Sequence, residues 1–138
     1  MLSLSDNRVA AMMIYTISLH VVWGLCALFD PVSYNSTALS SVYQVFGEST
    51  PYICFNVAIL AFLGVFYFGR VKYYRIFLLI PQQLILMLSA GGAVKAAILG
   101  AYADGVIRSH GFILADQAPA ILAAVCQTLS IVYLSRNN

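Results

Sequence analysis

Lys95 and Asp116 are the residues of this chain best placed to do chemistry, because each puts an ionisable group inside a long apolar stretch. A charge in such a stretch is costly unless it meets an opposite charge or lines a polar path. His20 is the third candidate. An imidazole titrates near neutrality, so it can relay a proton, bind a ligand or hydrogen bond to a neighbouring helix. Thr16 and Gly24 lie one helical turn either side of it on the same face. Asn56, Gln127 and a backbone carbonyl are its candidate partners.

Other chemistries lack their residue sets. Cys26, Cys54 and Cys126 are isolated, with neither C-x-x-C spacing nor paired histidines, which leaves no zinc or thiol-exchange geometry. Cys26 and Cys54 fall toward one side of the chain, and a disulfide between them stays open. There is no Gly-rich phosphate loop, no G-x-S-x-G and no H-E-x-x-H, and no hydroxyl has a base and an orienting group at hand. The expectation is a protein that is not an enzyme and carries no cofactor or metal.

The elements that position these residues follow from composition. The 138 residues are 62% hydrophobic and 9% charged, against roughly a quarter charged in a soluble domain. Such a chain cannot cover a water-facing surface, so its solvent is the lipid bilayer. Seven Lys and Arg against five Asp and Glu form no basic patch, which argues against nucleic acid as a partner.

About 20 apolar helical residues cross a bilayer core, and four stretches qualify: about 9–29, 52–69, 76–101 and 113–134. The first ends at Asp30-Pro31. It is longer than a signal core and has no small-x-small cleavage site, so it reads as a retained span. The second starts at Ser49-Thr50-Pro51, with hydroxyls to cap and a proline for the first turn. The third contains Pro81 and stops near Tyr102-Ala103-Asp104-Gly105, and the fourth contains Pro119. Between the first two, the outer loop 30–51 carries Leu39, Val42, Tyr43, Val45 and Phe46 at helical spacing. It reads either as an amphipathic interfacial helix or as a loop packed over the span ends. Asn35-Ser36-Thr37 matches a glycosylation acceptor there, a tripeptide too common to carry weight.

Short cytoplasmic segments carry the excess of Lys and Arg. Arg8, the cluster Arg70, Lys72 and Arg75, and Arg136 therefore belong inside, while Asp30 and Glu48 mark the outer loop. The fold class expected is all-α, one polytopic domain over residues 1–138, with four transmembrane helices as two antiparallel hairpins and both termini in the cytoplasm. In the second hairpin Lys95 and Asp116 are equidistant from the turn and face each other, about 7 to 10 Å inside the helix ends at 1.5 Å per residue. The same register sets Gly91 against Ala120 and Gln83 against Thr128, with Gln127 beside it. Gly92, Ala96 and Gly100 form a small-xxx-small row that lets backbones approach. The Lys95 and Asp116 pair reads first as a register-fixing salt bridge, second as the lining of an ion or proton path, and third as a snorkelling lysine above a separate carboxylate.

The run Leu79-Ile80-Pro81-Gln82-Gln83, with Ser89-Ala90-Gly91-Gly92-Ala93, Tyr102-Ala103-Asp104-Gly105 and Phe112 to Pro119, resembles short multi-span membrane proteins of tailed bacteriophages. The resemblance covers about the last 60 residues. It implies a bacterial cytoplasmic (inner) membrane and, since holins are the commonest small membrane proteins of such phages, a holin-like role. The strongly basic C-terminal tail of many holins is missing here. Two function classes stand from the sequence: a membrane-permeabilising homo-oligomer, and a small ion or proton channel or transporter using Lys95 and Asp116. A third is a scaffold or exclusion factor that binds another membrane protein through the outer loop.

Overall fold

A computed structural model describes residues 4–30, 39–67, 72–102 and 105–136. Arg70, Asp104 and the tripeptide at 35–37 lie outside the described residues, as do the side chains of Lys72 and Arg75. The elements are α1 (Leu4–Phe29), α2 (Leu39–Phe46), α3 (Thr50–Phe62), α4 (Lys72–Leu99), α5 (His110–Asp116) and α6 (Ala118–Arg136). A 3₁₀ turn at Gly47–Ser49 joins α2 to α3, and α3 runs on into a π-helical stretch at Leu63–Tyr67. No strand occurs among the described residues, where an isolated antiparallel bridge joins Ala101 and Ile107. Four helical stretches are long and apolar enough to cross a membrane, 7–29, 40–66, 76–99 and 118–136. By length and composition the chain is a membrane protein.

The distribution of side chains is inverted relative to a soluble domain. Thr16, His20, Gln82, Ser89, Gln127 and Ser130 are fully buried, while Ile14, Val22, Ile59, Phe77, Leu84 and Ile98 are exposed. Water does not tolerate an apolar surface of this extent, and lipid does. Between helices in lipid no hydrophobic force acts, so association rests on close van der Waals packing and hydrogen bonds. The buried face of α1 shows how. Val9, Met13, Thr16, His20, Gly24 and Ala27 recur at steps of three and four, a single stripe. Against it α3 sets Cys54, Val57 and Ala61, and α6 sets Leu134. Facing α6, α4 presents Leu86 to Ala123 and Ala124, and Ala93 meets Ala120.

Prolines and glycines set the helix ends. Pro51 sits in the first turn of α3, where its missing N–H costs nothing. The expected hydroxyl cap does not form: Ser49 makes no side-chain cap bond, and the Thr50 hydroxyl donates instead to the Gly47 carbonyl (2.7 Å). The third span ends earlier than the Gly105 stop expected from the sequence. Gly100, at φ +74°, takes the left-handed conformation that stops α4, and its N–H returns to the Ala96 carbonyl (2.8 Å). His110 is exposed and points its Nδ1 at the Ala97 carbonyl of the same helix end. The fourth span is broken. Pro119 supplies no N–H, and Gln117 adopts φ −96°, ψ 3°, so α5 and α6 are separate helices. Ser109 caps α5 by accepting from the Phe112 N–H (3.0 Å).

The loop between the first two spans holds the expected helix. Val42 of α2 is buried against Ala27 and Ile85, and Val45 and Phe46 are exposed. α2 packs on α4.

Gly24 is a close approach: a Cβ there would stand 2.6 Å from the Phe55 ring, whereas one at Gly91 would meet nothing within 4 Å. Gly24→Val is expected to destabilise the α1 and α3 contact by about 1 to 3 kcal/mol. Gly91→Ala should leave stability unchanged or raise it by up to about 1 kcal/mol through helix propensity. Reversible unfolding in mixed detergent micelles reads both.

Candidate functional site

Two polar clusters are built by these helices. The inner one starts at His20, fully buried at mid-span of α1 with its ring 5.3 Å from that of Trp23. Its Nδ1 lies 2.9 Å from the Thr16 carbonyl one turn earlier and 3.2 Å from Gln82 Nε2 of α4. One nitrogen cannot serve both. With a proton, Nδ1 donates to the carbonyl; without it, Nδ1 accepts from the amide. The Thr16 hydroxyl donates to the Met13 carbonyl (3.0 Å) and lies 3.5 Å from Gln127 Oε1 of α6. Gln127 Nε2 in turn donates to the Leu79 carbonyl of α4 (3.4 Å). A polar layer thus ties α1, α4 and α6 at one depth. His20 Nε2, Gln82 Oε1 and Ser89 Oγ are buried without a hydrogen-bond partner among the described residues.

Of the partners expected for His20, the backbone carbonyl is present and Gln127 is reached through Thr16. Asn56 is not near: it lies on the exposed face of α3. Gln82 is the partner the sequence reading missed. The signal was available, since Leu79, Gln82, Ile85, Leu86, Ser89 and Ala93 all fall on the buried face of α4.

The outer cluster gathers around Tyr102. Its hydroxyl donates to Asp116 Oδ2 (2.7 Å), and Gln117 Nε2 donates to both Tyr102 Oη and Asp116 Oδ2 (2.9 Å each). Arg108 lies over the Tyr102 ring, 4.9 Å from its centroid. Burial, and then the bond to Asp116, push the Tyr102 hydroxyl above the usual tyrosine range. It therefore stays a donor.

The ion pair expected between Lys95 and Asp116 is not among the contacts of either residue. Asp116 instead ends the short α5, where its carboxylate meets Tyr102 and Gln117, while Lys95 lies on the exposed side of α4. Lys95 is exposed and lines a small pocket of about 170 Å³ with Ser40, Ser41, Gln44 and Tyr102. The rest of the register lands closer. Gln83 Nε2 donates to the Thr128 hydroxyl (2.9 Å), while Ala120 meets Ala93 rather than Gly91, which is exposed. Gly92 is half-buried beside Lys95 in the same pocket. The three cysteines are free, Cys54 buried and Cys26 exposed, so the open disulfide is not formed.

These features define an all-helical membrane protein with a buried polar layer at mid-span. Comparison with protein-family models, curated proteins and solved structures finds no match to the chain.

A double-mutant cycle separates the two arrangements of the outer cluster. Tyr102→Phe and Asp116→Asn should couple by about 1 to 3 kcal/mol, and Lys95→Gln with Asp116→Asn by less than about 0.5 kcal/mol. Because Tyr102 titrates higher in the folded than in the unfolded chain, its contribution is complete below about pH 10 and lost as pH rises through its raised value. A pH series of unfolding midpoints should show that alkaline loss, reduced in Tyr102→Phe.

Proposed function

We propose that the chain permeabilises its membrane as a homo-oligomer, in the manner of a holin, with no catalytic chemistry of its own. Asn56 carries this reading. Its amide lies on the exposed face of α3, about 9 Å along the helix from Thr50 at 1.5 Å per residue, and it has no hydrogen bond among the described residues. An amide facing hydrocarbon is costly, and a second copy of the chain is the nearest source of a partner. The polar layer around His20 is fully buried, so a path wide enough for large solutes has to form between protomers rather than through one.

In this reading the four spans form two antiparallel hairpins with both termini in the cytoplasm. Support comes from the charge distribution and from contacts that pair early residues of one span with late residues of the next, as Val9 and Met13 do with Ala61, and Gln83 with Thr128. The membrane is then a bacterial inner membrane.

A second reading, a small proton or ion channel, is favoured by a different observation: His20 Nδ1 faces both an acceptor and a donor while His20 Nε2 has no partner. A ring nitrogen that can either donate or accept is what a relay needs.

Induced expression in a bacterial host, with culture density, membrane potential and enzyme leakage followed together, tests the first reading. The expected result is an abrupt loss of potential at a reproducible time, with enzyme escape when a muralytic enzyme is present. Asn56→Leu should weaken association by about 3- to 30-fold, the loss of one interhelical hydrogen bond, and delay the event. Normal growth with intact potential overturns permeabilisation. Proton flux into liposomes, abolished by His20→Leu, then marks the channel.

A further inference from the structure

Arg8 and Arg136 lie 128 positions apart in sequence, yet both line one groove between the first turns of α1 and the last turns of α6. The groove measures about 370 Å³, and its other described lining residues are Val9, Met12, Leu129, Val132 and Tyr133. Both guanidinium residues are exposed at the ends of their spans, while the apolar wall runs inward past Met12 on α1 and past Val132 to Leu129 on α6. Seven residues of α6 separate Leu129 from Arg136, about 10 Å of helix. No carboxylate is among the described lining residues, and no ion pair of either arginine is recorded among the described residues.

We infer that this groove binds an anionic phospholipid, with its phosphate held between Arg8 and Arg136 and an acyl chain laid against Met12, Leu129 and Val132. The charge complementarity decides the occupant. Guanidinium groups bind phosphate oxygens in bidentate fashion, and two of them at one groove mouth favour a headgroup with net negative charge over a zwitterionic one. Basic pockets between transmembrane helices recognise anionic headgroups on this principle. A neighbouring helix fits less well, since it would have to cover two unpaired cations. Two other grooves, between α1 and α3 and between α4 and α6, are lined by apolar side chains and Thr128, with no cation among their described lining residues. The site is independent of what the oligomer does to the membrane.

Native mass spectrometry of the full chain, released from detergent with equal amounts of phosphatidylglycerol and phosphatidylcholine of identical acyl chains, tests it. Wild type should retain phosphatidylglycerol preferentially, and Arg8→Gln with Arg136→Gln should lower that preference about tenfold, the scale of one charge-assisted hydrogen bond. Val132→Trp keeps both charges and fills the groove, so it should lose the bound lipid without disturbing the charge bias that orients the chain. Lys95→Gln, a cation elsewhere on the bundle, should change nothing. Equal retention of the two lipids by wild type overturns the inference. So does an equal loss of preference in Lys95→Gln, which would mark a general charge effect.

Discussion

Inside a bilayer no water is present to satisfy a polar group, so each one must find its partner within the protein, and the architecture of this chain depends on that constraint. The layer of Thr16, His20, Gln82 and Gln127 is where it acts. These side chains occupy the faces on which α1, α4 and α6 meet, and turning any one helix about its axis would carry an imidazole or an amide into hydrocarbon. Packing of small and apolar residues above and below the layer supplies contact area, but it would tolerate a slide or a rotation far better than the hydrogen bonds do.

The same constraint explains the end of the bundle where α4 turns into α5. Asp116 is a carboxylate at the edge of the apolar region, and the nearest groups able to serve it are a neutral phenol and an amide rather than an ammonium. The proline at 119 ends one helix and starts another, which places Asp116 beside Gln117 and within reach of Tyr102. Lys95, relieved of a structural partner, faces the hydroxyls and amide of α2 instead. Charge is thus divided between a hydrogen-bonded carboxylate and a separate cation, with Arg108 stacked on the tyrosine between them.

Much of this was legible from residue types. The spans at 9–29 and 76–101 agree with α1 and α4 to within a few residues at the ends that set their packing, the amphipathic pattern at 39–46 is a helix, and Gln83 meets Thr128 at the depth that hairpin counting gives. Hairpin counting assumes unbroken helices, and the backbone departs from that assumption at Gly100 and Gln117, a left-handed glycine and a position two residues before a proline, while Gln83 and Thr128 farther along keep the counted register. Gln82 lies on the buried stripe of α4 through Leu79 and Leu86, whereas Lys95, on which the facing register was anchored, is on the exposed side.

Hydropathy and charge determined the solvent of this protein and its four long apolar stretches, because those depend on side-chain transfer energies that act residue by residue. Which face of each helix turns inward, and hence that His20 meets Gln82, that Asp116 meets Tyr102, that Asn56 is left facing outward and that Arg8 and Arg136 share one groove, was decided only by tertiary structure. Each of these outcomes depends on the relative rotation of two or more helices, a quantity set by the joint packing of all of them and written in no single segment.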